Sequence, residues 1–329
     1  MGRTPSDAVS GEKAAVHVYG PVPSRRLGFS LGVDILPYKT CSFDCVYCQL
    51  GRSGKKTVRR ARYFSCPEIL GQIRRALGEG RRIDHISFSG SGEPTLNTLI
   101  GQLIREIKKI TPVPVAVLTN ASLLGLKSVR EALRPADVVV PSLDAATPSG
   151  FRRANRPQPS VRVEDVIAGL AKFRNEFRGR IWLGVMLVKG LNDSPEDVAA
   201  LKQAITRVRP DRVQLNTVVR PPAESWARPL SRRALDKIRK ELGGTAEVVA
   251  DFRKKQRASG AGDLGQDILA MVERRPVTVL DMASSLGTTA ARVRRQLLPL
   301  LQGGRVRRVR HKGTVYYEPE QRGPVKRLE

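Results

Sequence analysis

The chain has 329 residues, which is enough for a large buried core and leaves room for a small second module. Its 58 Lys and Arg against 31 Asp and Glu give a formal net charge of +27, which predicts attraction to polyanions with a strong salt dependence. No apolar run approaches the roughly 20 residues of a membrane span, and residues 1–15 lack the apolar stretch of a signal peptide, so a disordered tail is expected there.

Residues 19–28 combine two prolines and two glycines with little periodicity, so they are expected to follow a fixed but irregular path. The pair Arg25 and Arg26 in this segment suits bidentate binding of a phosphate or carboxylate. The alternative is a segment that wraps around the domain and leaves its arginines in solvent.

Residues 31–36 have the pattern of a short buried strand, and the loop after them holds three of the four cysteines, Cys41, Cys45 and Cys48, at C-x3-C-x2-C spacing. Three thiolates on one loop can bind three irons of a 4Fe-4S cluster and leave the fourth iron open. A zinc site, which normally needs four ligands, and a disulfide with a spare thiol are the alternatives. Scarcity of other cysteines favours a reducing compartment, the cytoplasm.

The cysteine spacing, with Tyr47 directly before the third cysteine, resembles the signature of the radical S-adenosylmethionine (SAM) enzymes. Residues 89–95, S-G-S-G-E-P-T, follow a predicted strand at residues 83–88 and are similar to a second motif of that family, although Ser91 replaces its first glycine. Read alone, this motif is also compatible with an ordinary turn between a strand and a helix.

The resemblance implies that the open iron chelates SAM and that the cluster cleaves it to a 5′-deoxyadenosyl radical. It implies that Gly90, Gly92 and Glu93 hold the methionine ammonium, since a carboxylate facing an ammonium makes a charge-assisted hydrogen bond. It also places Tyr47 at the cofactor and implies a reductant of the flavodoxin or ferredoxin type.

Further along, apolar runs alternate with amphipathic helical patterns, which predicts a parallel sheet with helices outside it. The predicted strands continue at residues 113–118, 138–140, 181–188 and 213–215, and helices are predicted at residues 67–77, 96–110, 163–177 and 195–208. Six β-α steps are too few for an eightfold barrel. The radical SAM family commonly has a partial (β/α)6 barrel, so the predicted fold class is α/β, with such a barrel over residues 16–251.

Polar residues occur where the predicted strands end, and in β/α barrels the chemistry lies on those loops. The resemblance implies that Ser142 and Asp144 lie near the SAM ribose and Asn120 near the methionine or ribose. Asn192 or Asn216 is then expected beside the adenine or the substrate. The alternative is that these are ordinary loop residues.

Cys66 precedes Pro67 at a predicted helix N-terminus, where the helix dipole is expected to lower a thiol pKa. It is either a radical-quenching or substrate-contacting thiol or, as favoured, a small buried apolar residue.

Residues 252–262 are predicted to be a basic linker and residues 320–329 a tail. Between them, residues 263–319 show three helical patterns and a strand pair, the order of a winged helix-turn-helix. Its basic residues suit contacts with RNA or DNA; they are Arg292, Arg294 and Arg295 on the predicted recognition helix and Arg307, Arg308, Arg310 and Lys312 on the predicted wing. Winged helices that dock proteins are the alternative.

The resemblance covers roughly residues 19–242 and is to a bacterial and archaeal subgroup distantly similar to wybutosine-forming enzymes of tRNA. The leading hypothesis is a cytoplasmic radical SAM enzyme that modifies an RNA, with tRNA first. One alternative is a maturase that acts on a protein or small metabolite, with the winged helix as a docking module. Another is an Fe-S-sensing regulator that binds nucleic acid, which the presence of Glu93, Asp144 and all three cysteines disfavours. The sequence predicts no oligomeric state.

Overall fold

The structure is a computed structural model, which describes residues 16–24, 26–52, 55–249, 264–311 and 313–320. The predicted tail at residues 1–15, the predicted linker at residues 252–262, Arg25 and Lys312 lie outside the described residues, as does the predicted tail beyond Glu320.

One sheet of eight strands organises the larger part of the chain, and its strands lie side by side in sequence order. The first two strands pair antiparallel, and all later neighbours pair in parallel. The elements are β1 (Val18–Ser24), β2 (Gly28–Val33), α1 (Cys66–Gly78), β3 (His85–Phe88), a 3-10 turn (Pro94–Leu96), α2 (Ile100–Ile110), β4 (Val115–Thr119), α3 (Lys127–Leu133), β5 (Val138–Pro141), α4 (Pro148–Asn155), α5 (Val163–Glu176), β6 (Arg180–Leu187), α6 (Pro195–Val208), β7 (Arg212–Thr217), α7 (Arg232–Leu242) and β8 (Ala246–Val248).

Helices connect every pair of successive parallel strands from β2 to β8, which makes six β-α units. The predicted α/β class with a parallel sheet is therefore confirmed. Helix starts follow local capping signals. Ser65 and Ser194 each accept a hydrogen bond from a backbone N–H of the first turn, and a proline follows within the first two helical positions.

The sequence analysis missed β1, α3, α4, α7 and β8. In β1, Pro21 and Pro23 lack a backbone donor and read as strand breakers, but β1 is the edge of the sheet and has a strand neighbour on one side only. The apolar face of α7 is narrow, with Leu235, Ile238 and Leu242 as its buried residues.

The two faces of the sheet differ in what covers them. Alternate strand residues such as Leu183 and Val185 belong to the main core, which the helices complete. The residues between them point to the other face, called the inner face here, where Trp182 packs with Leu27, Val138 and other strand residues in a cluster without helical residues. Among the described residues, this cluster of the inner face contains side chains of strands and turns and none of a helix.

The C-terminal part consists of three helices and a small antiparallel sheet: α8 (Leu264–Arg274), α9 (Val279–Ser285), α10 (Ala290–Gln302), β9 (Val306–His311) and β10 (Thr314–Pro319). These elements share a core with Val22 of β1, and the Tyr316 hydroxyl donates to the carbonyl of Val219 at 3.0 Å. The predicted helices and strand pair are present, and the winged helix itself stays a prediction. Among the described residues, no helix has both the length and the apolar character to cross a membrane.

Candidate functional site

The cysteine loop leaves the carboxyl end of β2 and is fixed by its neighbours. The backbone of Glu93 donates to the carbonyl of Thr40 at 3.0 Å, and Val46 donates to the carbonyl of Ala154 at 3.0 Å. The loop therefore lies between the segment after β3 and the end of α4, at the edge of the sheet where the parallel strands end.

Nitrogen donors face the cysteine sulfurs. The side-chain amides of Asn120 and Asn155 each donate at 3.5 Å, to the Sγ atoms of Cys41 and Cys45 respectively. Lys39 hydrogen-bonds Cys48. Burial alone would lower the pKa of Lys39, but Cys48, Cys45 and Asp44 together raise it above its ordinary value, so the ammonium stays charged.

Burial raises the pKa of Cys41 to about 12 and that of Cys45 further. As free thiols, both are protonated at neutral pH, so metal binding must release protons. A single zinc ion would draw its sulfur ligands to within about 4 Å of one another, and the described residues contain no group of three or more His, Cys, Asp or Glu that could hold a metal ion. Three thiols with N–H donors fit a 4Fe-4S cluster, in which three of the four irons would each take one thiolate.

The glycine-rich loop after β3 packs directly under the cysteine loop. A side chain at Gly92 would overlap the carbonyl oxygen of Thr40, so only glycine allows this approach. Gly90 adopts a φ of +147° beside Asp34, which accepts hydrogen bonds from the backbone and hydroxyl of Ser91 at 3.1 and 2.5 Å. Ser91 thus replaces the family glycine without loss of the turn, because Asp34 binds it.

The Glu93 carboxylate is buried and binds the end of β4. Oε1 accepts hydrogen bonds from the Thr95 backbone and hydroxyl and from the Thr119 hydroxyl at 3.1, 2.5 and 2.6 Å, and Oε2 accepts one from the Asn120 backbone at 2.6 Å. Burial raises the pKa of Glu93, while these donors lower it. Since a carboxylate oxygen has two lone pairs, Oε2 retains one acceptor position for a further donor.

Asp144 lies at the centre of a second buried network. It accepts hydrogen bonds from the Tyr47 hydroxyl, from Asn155 Nδ2 at 2.6 Å and from the Met186 backbone at 2.8 Å. Burial raises the pKa of Asp144, opposed by these donors, and burial together with Asp144 raises the pKa of Tyr47 well above its ordinary value. Asn155 Oδ1 is buried without a hydrogen-bond partner among the described residues, as expected where a polar ligand binds.

Two other predicted residues lie near Asp144 and differ in burial and in hydrogen bonding. Ser142 is half-buried one residue beyond β5, and its hydroxyl makes no hydrogen bond with the described part of the chain. Asn192 is fully buried, and its amide bonds the carbonyls of Asp144 and Met186 and the backbone N–H of Val188. Asn192 therefore positions the loops and has no free amide hydrogen for a cofactor.

Sequence reasoning missed Asn155, whereas it identified Arg26 as one of an arginine pair suited to a phosphate or carboxylate. Asn155 ends α4, a helix that was not predicted, and no motif singles it out. Its partners Asp144, Tyr47 and Cys45 lie 11, 108 and 110 residues away in sequence, so only the fold shows its role.

Cys66 is the first residue of α1 and belongs to the main core. Burial raises its pKa, so the expected lowering by the helix dipole was wrong. The interpretation as a buried apolar residue fits this position.

The basic residues of the C-terminal part are exposed on two elements. Arg292, Arg294 and Arg295 lie on α10, and Arg308 and Arg310 on β9, all exposed. Arg307 differs, because it forms an ion pair with Glu318 at 2.7 Å.

Comparison with known proteins agrees with this geometry. The sequence profile of the radical SAM superfamily matches residues 35–201. A UPF0026 protein of Methanocaldococcus jannaschii is 30% identical over 79% of the chain and 82% of its own length. A protein of Brachyspira hyodysenteriae named GTPase Obg is 37% identical over 91% of the chain. The chain spans only 45% of that protein, so the name of that protein says nothing about the activity of this chain.

Two further matches are more distant. The dual-specificity RNA methyltransferase RlmN of Nitratidesulfovibrio vulgaris is 25% identical over 70% of the chain and 61% of its own length. The crystal structure of Streptococcus suis SuiB bound to S-adenosylmethionine superposes with a TM-score of 0.51, at 17% identity, over 67% of this chain and 50% of that one. At this identity the structural match concerns the fold alone.

The amides that face the cysteine sulfurs give a testable prediction. Hydrogen bonds to cluster sulfurs stabilise the reduced, more negative state. Asn120→Ala and Asn155→Ala are each expected to shift the reduction potential of the reconstituted protein to more negative values, measured by anaerobic redox titration. Ser122→Ala, which removes a hydroxyl bonded to Ser42 and not to sulfur, is the control and is expected to leave the potential in place. Equal potentials in all variants would contradict the assigned contacts.

Proposed function

We propose that this chain, which belongs to the radical SAM superfamily and is similar to UPF0026 proteins over most of their length, cleaves SAM reductively and modifies an RNA, with tRNA as the first candidate. It is an enzyme of the radical SAM type, and its cofactors are a 4Fe-4S cluster and SAM. The reductive cleavage and the RNA substrate are the proposal.

The observation that carries the proposal is the juxtaposition of the three cysteines with two polar networks. Cys41 shares Asn120 with Glu93, since the Asn120 amide donates to sulfur and its backbone donates to the carboxylate. Cys45 shares Asn155 with Asp144, since the Asn155 side-chain amide donates to both. The cysteine loop is thereby joined to the ends of both β4 and β5.

When bound, a 4Fe-4S cluster would supply the electron for reductive cleavage of SAM to methionine and a 5′-deoxyadenosyl radical. The residues of the chain bind and orient the cluster and SAM. The three cysteines hold three irons, Asn120 and Asn155 donate to their sulfurs, and the open lone pair of Glu93 Oε2 accepts from the methionine ammonium. Ser142 and Asn155 Oδ1 offer polar atoms near Asp144 to the ribose.

Three observations support an RNA substrate. The net charge of +27 predicts polyanion binding. The arginines of α10 and β9 are exposed on neighbouring elements, as in the proposed winged helix at residues 263–319. One relative is named as an RNA methyltransferase that shares 25% of aligned residues.

The cysteine assignment predicts which variants lose the chemistry. Alanine at Cys41, Cys45 or Cys48 is expected to abolish cluster binding and formation of 5′-deoxyadenosine, because each thiolate holds one iron. Cys66→Ala, whose thiol belongs to the core, is the matched control and is expected to retain both. The measurements are iron content and product analysis after anaerobic reconstitution. Loss of the cluster in Cys66→Ala with retention in Cys41→Ala would refute the assignment.

Glu93→Gln tests the ammonium contact. The glutamine oxygen can replace Oε1, which accepts three hydrogen bonds, and its amide then stands at Oε2, where it repels both the Asn120 N–H and an ammonium. SAM affinity is expected to decrease by a factor between a few-fold and about a hundredfold, which corresponds to a loss on the order of 1 to 3 kcal/mol for a charge-assisted hydrogen bond. The cluster is expected to remain. Equilibrium binding of SAM measures the effect, and Glu164→Gln on the exposed surface of α5 is the control. Unchanged SAM binding would remove Glu93 from the site.

The nucleic-acid contact is best tested in the full-length chain, because the C-terminal helices share a core with Val22 of β1 and truncation would expose it. Replacing Arg292, Arg294 and Arg295 together by Gln is expected to weaken RNA binding. It should flatten the log-log salt dependence by about two to three units, since each phosphate contact contributes roughly 0.7 to 0.9.

The control for this experiment removes the same charge from exposed positions on α5 and α6, through Lys172→Gln, Lys202→Gln and Arg207→Gln. It is expected to leave the slope nearly unchanged. Absence of RNA binding near physiological salt, or equal slopes in the two triple variants, would favour the maturase hypothesis instead.

A further inference from the structure

Arg26 places a guanidinium on the inner face of the sheet. It follows β1, and its backbone position is set by Ser24, whose hydroxyl accepts from the N–H groups of Arg26 and Leu27 at 3.3 and 3.2 Å. Leu27 points into the apolar cluster of the inner face. The turn between β1 and β2 thus places the Arg26 side chain at the inner face of the sheet.

The guanidinium approaches Gly184 of β6 with its two terminal nitrogens. A Cβ atom built on Gly184 would be 3.3, 3.4 and 3.6 Å from Nη1, Nη2 and Cζ of Arg26, so all three atoms are almost equally near. Gly184 alternates with Leu183 and Val185 of the main core and therefore faces inward. Because Gly184 has no side chain, the guanidinium can approach the backbone of β6 at this position.

No residue in the described part of the chain satisfies this guanidinium. None accepts a hydrogen bond from it, and no described carboxylate lies within 4.0 Å of it. Asp144 attracts it electrostatically, but the carboxylate of Asp144 is occupied by Tyr47, Asn155 and the backbone of Met186. Burial lowers the pKa of Arg26, and Asp144 and Tyr47 oppose this. Arginine nonetheless stays charged.

A polar atom on the neighbouring strand β7 also lacks a partner. Gln214 of β7 is the cross-strand neighbour of Gly184, is 1% exposed, and uses Nε2 to bind Glu247 at 3.0 Å. Its Oε1 has no hydrogen-bond partner among the described residues. Buried polar groups are costly to leave unpaired, so the unsatisfied Oε1 of Gln214, paired across the strands with the glycine below Arg26, indicates a ligand on this face.

We propose that Arg26 binds an anionic oxygen group of the substrate, a carboxylate or a phosphate, on the inner face of the sheet between β6 and β7. The planar guanidinium matches the two oxygens of such a group, and Gln214 Oε1 accepts from a donor next to it. The inference rests on the proposed function, because it assigns the residue that positions the substrate for that chemistry.

Its distance from Glu93 across the sheet separates this group from the methionine end of the cofactor. Gly184 of β6 pairs with Ser142, just beyond β5, so the guanidinium lies at the level of Ser142. Glu93, to which the methionine group is assigned, binds Thr119 and Asn120 at the end of β4, two strands away. The anion of Arg26 is therefore the substrate's and not the carboxylate of SAM.

The test uses the reconstituted full-length protein saturated with SAM and titrated with inorganic phosphate or acetate at constant ionic strength in sodium chloride. Calorimetry is expected to show saturable binding of at least one anion. Arg26→Gln should weaken it roughly tenfold or more, because a hydrogen bond to a charged group is lost, and Arg26→Lys should have a smaller effect. Arg207→Gln, on the exposed surface of α6, removes the same charge and is expected to bind as the wild type does.

Three outcomes would overturn the proposal: no binding of either anion, equal binding by Arg26→Gln and the wild type, or competition between the anion and SAM. The last would assign Arg26 to the SAM carboxylate. Arg26→Lys keeps the charge and guards against a folding defect in Arg26→Gln. Since anion binding is measured without turnover, its failure is distinct from failure of SAM cleavage, which is assayed in the same preparations.

Discussion

The contact between the cysteine loop and the glycine-rich loop determines the geometry of the whole site. Gly92 lies against the carbonyl of Thr40, where any side chain would overlap it, and the Glu93 backbone donates to that same carbonyl. Because Glu93 also binds Thr119 and Asn120, this one contact joins the ends of β2, β3 and β4. The cysteines are thereby fixed relative to the sheet before any metal binds, which reduces the ordering that cluster binding must supply.

The division of the sheet into two faces explains why so many polar groups can be buried at the site. The helices of the β-α units pack on one face of the sheet, so side chains of the strands and loops must fill the space at the inner face. Trp182, Val138 and Val140 fill its lower part, and Asp144, Asn155 and Arg26 occupy the upper part. Burial raises the pKa of Asp144, but three donors satisfy the carboxylate, so the network is rigid and still has open acceptors at its border.

The sequence predicted the parts of the site that depend on local spacing. Cysteine spacing and the motif around Glu93 are short-range patterns, and the alternation of strands and helices is a periodic one. Asn155, in contrast, acts because α4 returns to the cysteine loop, and Arg26 acts because β1 and β6 are brought together across the sheet. Strand β1 was not predicted because it contains prolines, which a strand tolerates only at the edge of a sheet, where one side has no neighbouring strand. Long-range placement of single polar residues has no periodic signal, so it required the fold.

The C-terminal part lies at the same edge of the sheet as the cysteine loop. A crevice is lined by Tyr38, Leu50 and Arg52 on one side and by Arg307 and Val309 of β9 on the other. The Tyr38 hydroxyl donates to the carbonyl of Leu50 at 2.5 Å, and the backbone of Gly51 donates to the carbonyl of Cys48, so this wall continues directly from the third cysteine. Because side chains alternate along a strand, Arg308 and Arg310 point to the face of β9 opposite to the crevice. The wall toward the cysteine loop is therefore made by Val309 and the ion-paired Arg307, and the exposed arginines lie on the opposite face of the strand pair.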